Sequence, residues 1–508
     1  MLFSSWPFVA FFLPVTWIVF RFLQKYATRE ITLLWLVAAS LFFYGWFKPA
    51  YLLIVLVSMA FNYALGMMLA QKPWKQGKRR NLLIFGIAAN LAALFYYKYT
   101  GLFFRTLNMA GGSYDIPDII LPLGISFFTF QKIAWLVDSY RRETQEPNFL
   151  HYALFITFFP QLIAGPIVHH KEVIPQFLKK PDEARARRML AMGLTVFIIG
   201  LFKKVAIADH MGEVADPIFA SAALGNPLTL FEAWIGALSY TLQIYFDFSG
   251  YSDMAVGLAG MFGIHLPLNF FSPYKSANII EFWRRWHITL SRFLRDYLYI
   301  PLGGNRQGKF RRYANLLVTM LLGGLWHGAN WTFVIWGGLQ GVYLVVNHAW
   351  RKMAPFSLPK PLSVAVTFLA VMCAWVFFRA DSAATAMHIL ACMTGKFGIA
   401  LQDTQGALAK ALAALGVNVQ DVGISRNLRI NEKWLVLWAA LAIALFAPSS
   451  HELMKKRLAL DATDIAKSMR PPRLSWRPSP AWAAGMAAMA SLSLLLLTKV
   501  NAFIYFQF

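Results

Sequence analysis

Apolar runs long enough to span a bilayer dominate this chain, separated by short polar stretches. Crossing roughly 30 Å of hydrocarbon takes about 20 apolar residues in a helix. Runs near that length recur at about 8–22, 31–47, 51–70, 81–97, 119–137, 188–208, 228–248, 362–379, 434–449 and 481–500. The pattern predicts an all-α polytopic membrane protein with about 10–12 transmembrane helices. The first run carries Pro7 and Pro14 and is followed by Phe-, Tyr- and Arg-containing sequence instead of a small-residue cleavage site. It reads as a retained segment, not a signal peptide.

Composition agrees. At 58% hydrophobic, 16% aromatic and only 14% charged, the chain is not a soluble globule. A formal charge of +24 would suit a nucleic-acid binder, but the basic residues fall in short clusters between apolar runs, where the positive-inside rule expects them. No nucleic-acid partner is implied. Clusters at Arg21–Arg29, Lys72–Arg80, Lys171–Arg188, Lys275–Arg312, Arg351–Lys360 and Lys455–Arg477 are expected on the cytoplasmic side. The stretches 209–227 and 380–432 then face outward, and both termini are expected to lie outside as well.

This charge bookkeeping fails if every apolar run crosses. With both 119–137 and 149–168 spanning, Lys171–Arg188 would lie outside; with both 228–248 and 251–266 spanning, so would Lys275–Arg312. At least two hydrophobic segments are therefore expected to fail to span, as re-entrant pieces. The candidates are 149–168, broken by Pro160 and Gly165-Pro166, and 251–266, studded with Gly257, Gly260 and Gly263. Re-entrant backbone is tolerated only where protein or a watery cavity satisfies its polar groups, so the chain is expected to enclose a cavity. Pro471-Pro472 through Pro480 reads as an extended connector before the last run.

Two histidines stand out because ionisable groups among membrane segments are costly and are kept for chemistry or transport. His287 lies in Glu281-Phe-Trp-Arg-Arg-Trp-His-Ile-Thr-Leu-Ser291, and His327 in Gly323-Gly-Leu-Trp-His-Gly-Ala-Asn-Trp331. At 100° per residue, Glu281, Arg284, Arg285, Ile288, Arg292 and Arg295 share one arc. Trp283, Trp286, Leu290, Phe293, Leu294, Tyr297 and Leu298 take the other, together with His287. The reading is one amphipathic helix over 281–298, lying at the cytoplasmic surface with His287 pointing inward. His327 is flanked by Gly323, Gly324 and Gly328, where a helix thins or breaks, with Asn330 as a nearby polar partner. A desolvated imidazole stays neutral and can accept a proton near neutral pH. That suits deprotonation of a hydroxyl attacking an activated acyl group, with a second histidine or an amide to orient or stabilise charge.

Other motifs carry less. Gly303-Gly-Asn-Arg-Gln-Gly308-Lys309 lacks the Ser/Thr and the preceding strand of a phosphate loop. His169-His170 has no carboxylate at ligand spacing, so no metal site is expected. Cys373 and Cys392 read as packing residues. Asp247 and Asp253 read as structural, holding Ser or Arg side chains.

The run Ser272-Pro-Tyr-Lys-Ser-Ala-Asn-Ile-Ile-Glu-Phe-Trp-Arg-Arg-Trp-His287, continued by Leu294-Arg-Asp-Tyr-Leu-Tyr-Ile-Pro-Leu-Gly-Gly-Asn305 and Leu321-Leu-Gly-Gly-Leu-Trp-His-Gly-Ala-Asn330, closely resembles the membrane-bound O-acyltransferase family. Within it, the chain is similar to the bacterial polysaccharide branch that includes the alginate O-acetylation membrane protein. Leu121-Pro-Leu-Gly-Ile-Ser-Phe127, Leu162-Ile-Ala-Gly-Pro-Ile167 and Tyr245-Phe-Asp-Phe-Ser-Gly-Tyr-Ser-Asp253 extend the resemblance over most of the chain.

The resemblance implies a ring of helices around a central funnel or tunnel. It also implies N-terminal transmembrane helices over 1–110, a catalytic core with re-entrant and amphipathic segments over 111–350, and C-terminal helices over 351–508 with an outward loop at about 380–432. His327 takes the family's principal catalytic position, and His287 the second, which holds His or Asn in different branches. Family members pass an acyl group from a cytoplasmic donor, acetyl-CoA or an acyl carrier, to a hydroxyl, with no bound cofactor. In the polysaccharide branch a periplasmic partner of esterase-like fold, working with the polysaccharide machinery, completes the transfer. Alginate, cellulose, another exopolysaccharide and peptidoglycan all fit as acceptor.

Trp283, Arg284, Arg285, Arg292, Arg295, Trp326 and Asn330 are the expected donor- or substrate-binding residues. Lipid headgroups account for the arginines equally well, and packing accounts for the tryptophans. A transporter would need similar cavities and buried polar groups, but it would show matching inverted halves, and none are evident.

Overall fold

A computed structural model describes every residue except 145, 180–181, 354–355, 357, 402–405, 417, 422–432, 455–473, 498–502 and 505–508. Most of the 455–477 basic cluster, the start of the connector at 471–480 and parts of the 380–432 stretch lie outside the described residues.

The chain runs through α1 (Leu13–Tyr26), α2 (Arg29–Gly45), α3 (Ala50–Gln71), α4 (Gln76–Leu94), α5 (Thr100–Met109), α6 (Ile125–Tyr140), α7 (Phe149–Thr157), α8 (Phe159–Leu162), α9 (His170–Phe177) and α10 (Glu183–Phe202). It continues through α11 (Asp209–Ala223), α12 (Leu230–Met261), α13 (Ile279–Arg285), α14 (Ile288–Leu294), α15 (Gly308–His327), α16 (Trp331–Met353), α17 (Lys360–Arg379) and α18 (Ala383–Cys392). The last elements are α19 (Ala407–Ala414), α20 (Lys433–Phe446), α21 (Ser450–Met454) and α22 (Pro480–Leu496). A two-stranded parallel pair, β1 (Ile399–Leu401) with β2 (Val419–Asp421), is the exception to the helical pattern among the described residues.

Five helical stretches are long and apolar enough to cross a membrane: Pro7–Tyr26, Ala50–Gln71, Gln76–Met109, Glu183–Ala223 and Lys360–Arg379. Several expected spans are shorter than the apolar runs suggested. Gly124, at φ 70°, opens α6, so residues 119–123 lie outside the helix and 16 residues remain within it. Helices α2 and α22 have 17 residues each and α20 has 14.

The chain folds as two compact units. One comprises Met1–Phe202, Gly250–Asn269 and Ser450–Gln507; the other is built from Lys203–Ser249 and Phe270–Ser449. Each is discontinuous in sequence, whereas the regions 1–110, 111–350 and 351–508 describe order along the chain.

In the first unit, α6 packs on α3 and α4, and α7 on α2. Buried amides of Asn62 and Asn90 bond each other at 2.7 and 3.1 Å, and Lys132 Nζ donates to Ser58 Oγ at 2.7 Å. The apolar segment 149–168 is broken, as its prolines suggest: α7 has nine residues, about 14 Å at the helical rise, and Pro160 starts the four-residue α8. That is too short to span.

The segment 251–266 behaves differently from its sequence reading. It is no separate re-entrant piece, because residues 251–261 complete the 32-residue α12. Gly257 and Gly250 there meet Gly193 and Gly200 of α10 so closely that a Cβ at Gly257 would lie 2.5 Å from the Gly193 carbonyl oxygen. These glycines let two membrane helices touch; they do not end one. Asp253 accepts from Ser450 Oγ at 2.7 Å and pairs with His451 Nε2 at 3.1 Å, so it holds a serine, as read, and a histidine in place of arginine.

In the second unit, α15 and α16 form an antiparallel hairpin, α16 packs on α17, and α13 leans on α16. Neither hairpin helix was anticipated as a span. Glycine sets their separation: a Cβ at Gly324 would fall 2.2 Å from Phe333 O, and one at Gly337 would fall 2.3 Å from Met320 O. A two-helix excursion returns the chain to its starting side, so it is compatible with the basic clusters that flank it at 275–312 and 351–360. Asp247 pairs with Lys204 at 3.0 Å, which also meets Asp209 at 2.8 Å.

Candidate active site

Both histidines belong to the second unit, and each sits where a helix stops. Asn278 caps α13 by accepting from Glu281 N at 3.0 Å, and Glu281 accepts from the N–H of Ala277, one residue before the cap, at 3.0 Å. The helix then ends after seven residues. Phe271 N donates to Arg285 O at 2.9 Å, Trp286 turns extended, and His287 takes the left-handed conformation at φ 42°, ψ 53° before α14 begins. The single amphipathic helix expected over 281–298 is therefore two short helices with the histidine at the break, followed by a π-helical turn over Arg295–Tyr299. Periodicity missed this because both halves keep the same apolar face. Left-handed backbone at a non-glycine residue is uncommon and is most often borne by Asn, Asp and His. Among the described residues only Arg142, Ser272 and His287 adopt it.

His327 is the last residue of α15, and Gly328 runs extended, its α-carbon packed so closely on Phe333 that a Cβ would enter the ring. The break anticipated from the flanking glycines is present. It brings the two imidazoles, 40 residues apart in sequence, to 6.3 Å between ring centres at a tilt of 55°.

Aromatic rings enclose the pair. His327 meets Trp326 at 5.0 Å, Trp336 edge-on at 5.1 Å and Phe378 at 5.3 Å, while His287 meets Phe248 edge-on at 4.7 Å. Trp336 stacks on Trp375 at 5.4 Å, and Trp286 packs on Trp375 at 4.9 Å. His287 is 0% exposed and His327 4%. Burial pushes the His287 imidazole down to about 3, so it is neutral at pH 7 and carries one N–H to donate. A small group held between the rings would face two imidazoles, His287 among them with an N–H to donate, in a site shielded by aromatic rings.

The other expected residues separate into groups. Trp326 is in the cage, and Trp283 lies one layer out, donating from Nε1 to Gln340 Oε1 at 3.2 Å. Arg285 is not on an exposed arc: it is buried, bound to Glu281 at 2.5 Å and to Phe271 O at 3.4 Å. It is the last residue of α13, its guanidinium is committed to Glu281 and the Phe271 carbonyl, and it ties the end of the helix down. Arg284 and Arg295 are exposed, Arg295 pairing with Asp296 at 2.7 Å, and Arg292 is half-buried. Asn330 does not serve His327 as expected. Its Nδ2 donates to Asp381 O at 2.7 Å and its Oδ1 accepts from Thr332 N at 3.2 Å, which shapes the start of α16. Sequence reasoning missed Trp336, Gln340, Trp375 and Phe378. The overlooked signal was the recurrence of polar and aromatic residues at helical spacing along 332–351.

The family model described as MBOAT, membrane-bound O-acyltransferase, matches residues 17–387, nearly three quarters of the chain and both histidines included. The peptidoglycan O-acetyltransferase of Helicobacter pylori is 46% identical over 432 residues, covering 79% of this chain and 81% of that protein. A protein named "Probable alginate O-acetylase AlgI" from Azotobacter vinelandii is 42% identical over 399 residues, 77% of this chain and 78% of the other. A teichoic acid D-alanyltransferase of Streptococcus thermophilus is 29% identical over 280 residues, 50% of this chain and 68% of that one. With its apolar helices and its buried histidine pair, the chain belongs to the membrane-bound O-acyltransferase family and is a multi-pass membrane acyltransferase.

Proposed function

We propose that this enzyme takes an acetyl group from a cytoplasmic thioester, acetyl-CoA or an acyl carrier, and passes it across a bacterial inner membrane for O-acetylation of an exopolysaccharide such as alginate. The observation that carries the reading is the dry, ring-enclosed pair His287–His327, 6.3 Å apart. His327 accepts the proton of the acceptor hydroxyl as its oxygen attacks the thioester carbonyl. His287, neutral, donates its N–H to the oxygen that gains charge. Collapse breaks the C–S bond, and the imidazolium of His327 returns the proton to the departing thiolate. Both termini face the periplasm in this account, where a partner of esterase-like fold completes the transfer to the polymer. Similarity to proteins named for alginate acetylation supports the acceptor class.

A second acceptor, peptidoglycan, is favoured by the 46% identical relative. Mass spectrometry of surface polymers from cells with and without this protein separates the two. Loss of acetyl from exopolysaccharide alone supports the first, loss from muropeptides alone the second, and unchanged acetylation of every surface polymer refutes both.

A further inference from the structure

Two of the basic clusters read from the sequence, Arg21–Arg29 and Lys171–Arg188, meet in the first unit. There the turn between α1 and α2, the end of α9 and the residues just past α12 enclose a pocket of about 220 Å³. Arg29 and Lys179, one from each cluster, line it, and neither side chain bonds or pairs with another described residue. Gln24 lines it too; its Oε1 accepts from Arg21 Nη1 at 2.7 Å, and its amide hydrogens have no partner among the described residues. Gln176 is a fixed wall, because its Nε2 donates to Glu172 O at 2.7 Å and His265 O at 3.0 Å while its Oε1 accepts from His265 N at 2.8 Å. Phe20 and Phe262, edge to face at 5.1 Å, add an apolar side. Among the described residues no carboxylate lines the pocket, and Glu30, the acid in the first turn of α2, is off its wall. Two cations and an amide donor without an acid suit an anion rich in acceptor oxygens.

We propose that this pocket holds the phosphate of an anionic phospholipid of the phosphatidylglycerol type, drawn from the leaflet on the side of the basic clusters. Size and surroundings favour a lipid over a free phosphate compound. The pocket is smaller than the roughly 300 Å³ at which small-molecule sites begin, so it takes a headgroup and leaves the rest of the molecule outside. The same hairpin offers that remainder an apolar bed: Phe11, Phe12, Val15, Trp35, Ala38 and Phe42 line a groove of about 570 Å³. Phe12, Thr16, Phe20 and Gln24 recur every four residues, so one stripe joins the groove, at Phe12 and Thr16, to the pocket, at Phe20 and Gln24. From Phe12 to Gln24 a helix rises about 18 Å at 1.5 Å per residue. That is close to one leaflet's share of the roughly 30 Å hydrocarbon core. Net charge sets the headgroup, since the ammonium of phosphatidylethanolamine would be repelled by Arg29 and Lys179, whereas phosphatidylglycerol brings none. A lipid seated there ties the α1–α2 turn to α9.

The test is lipid binding to the purified full-length protein in detergent, counted by native mass spectrometry as phosphatidylglycerol, phosphatidylethanolamine or glycerol phosphate is added. The wild type is expected to bind phosphatidylglycerol about fivefold or more tighter than phosphatidylethanolamine, and glycerol phosphate is expected not to displace it. Arg29→Gln with Lys179→Gln is expected to weaken phosphatidylglycerol by about tenfold or more, near the worth of two basic side chains at an anionic surface, and to abolish the preference. Lys179→Gln alone gives a smaller loss of the same kind if the pair does not fold. Lys25→Gln with Arg188→Gln removes one exposed charge from each cluster away from the pocket, and is expected to change neither affinity. Equal weakening in the two double variants reduces the effect to diffuse surface charge and overturns the site, as does a wild type with no headgroup preference. Displacement of phosphatidylglycerol by glycerol phosphate overturns the lipid as its occupant.

Discussion

At residue scale, His287 answers two demands at once. Its backbone must adopt φ 42°, and its side chain must sit fully buried beside His327. Asn tolerates the same backbone and keeps an N–H donor, so it is the replacement this position should accept. His287→Asn is therefore expected to retain stability and measurable acetyl transfer. His287→Val should lose both, because a β-branched residue in the left-handed region is strained; equal stability of the two variants by thermal melting in detergent would contradict this. The same burial makes the site sensitive to acid. The folded pKa of about 3 lies below the usual 6.5, so the water-exposed, opened state binds the extra proton between those values. Stability is complete above about pH 6.5 and falls as pH drops towards 3, by up to about 1.4 kcal/mol per unit. Melting temperature should decline between pH 7 and pH 5 in the wild type, and less steeply in His287→Asn. Parallel declines would remove His287 as a cause.

At the scale of elements, the site depends on how closely α15 and α16 approach. Gly324→Ala drives a methyl into Phe333 O, a backbone atom that cannot swing aside, and should cost about 1–3 kcal/mol and most of the activity. Gly338→Ala, whose Cβ would meet only Leu321 Cδ2 at an ordinary 3.4 Å, should be tolerated. If both variants melt and turn over alike, close packing of the hairpin does not set the geometry of the pair. The contrast also shows what sequence can reveal at this level. Glycines beside His327 announced a break, and one is there. Glycines in 251–266 looked the same but mark helix contact with α10, because spacing along one helix does not disclose the partner that the missing Cβ admits. The break at His287 was hidden for the converse reason: two short helices in register imitate one long one. Arg285 was misplaced because the projection did not disclose Glu281 and the Phe271 carbonyl as partners that draw it inward, whereas the runs around Trp326 and both histidines are long and specific.

Over the whole molecule, the sequence pattern established a helical multi-pass membrane protein but overestimated several spans and passed over the α15–α16 hairpin. Apolar runs record hydrophobicity, whereas glycine, proline and buried amides decide where a helix starts and whether a less apolar one is buried. The orientation proposed above makes its own forecast. Cys373 is only partly buried and Cys392 is buried, so with both replaced, a single cysteine introduced at Lys75 should react with a membrane-impermeant thiol reagent only after the inner membrane is permeabilised. One at Asn226 should react in intact spheroplasts, and the reverse pattern would invert the topology. The central claim is chemical, and transfer of radiolabelled acetyl from an acetyl thioester by the purified enzyme, with the periplasmic partner proposed above, tests it most directly. His327→Ala, eluting and melting like the wild type, is predicted to reduce transfer by a hundredfold or more, in line with the roughly 10²–10⁴-fold contribution of general-base catalysis. Wild-type transfer by that folded variant would contradict the account.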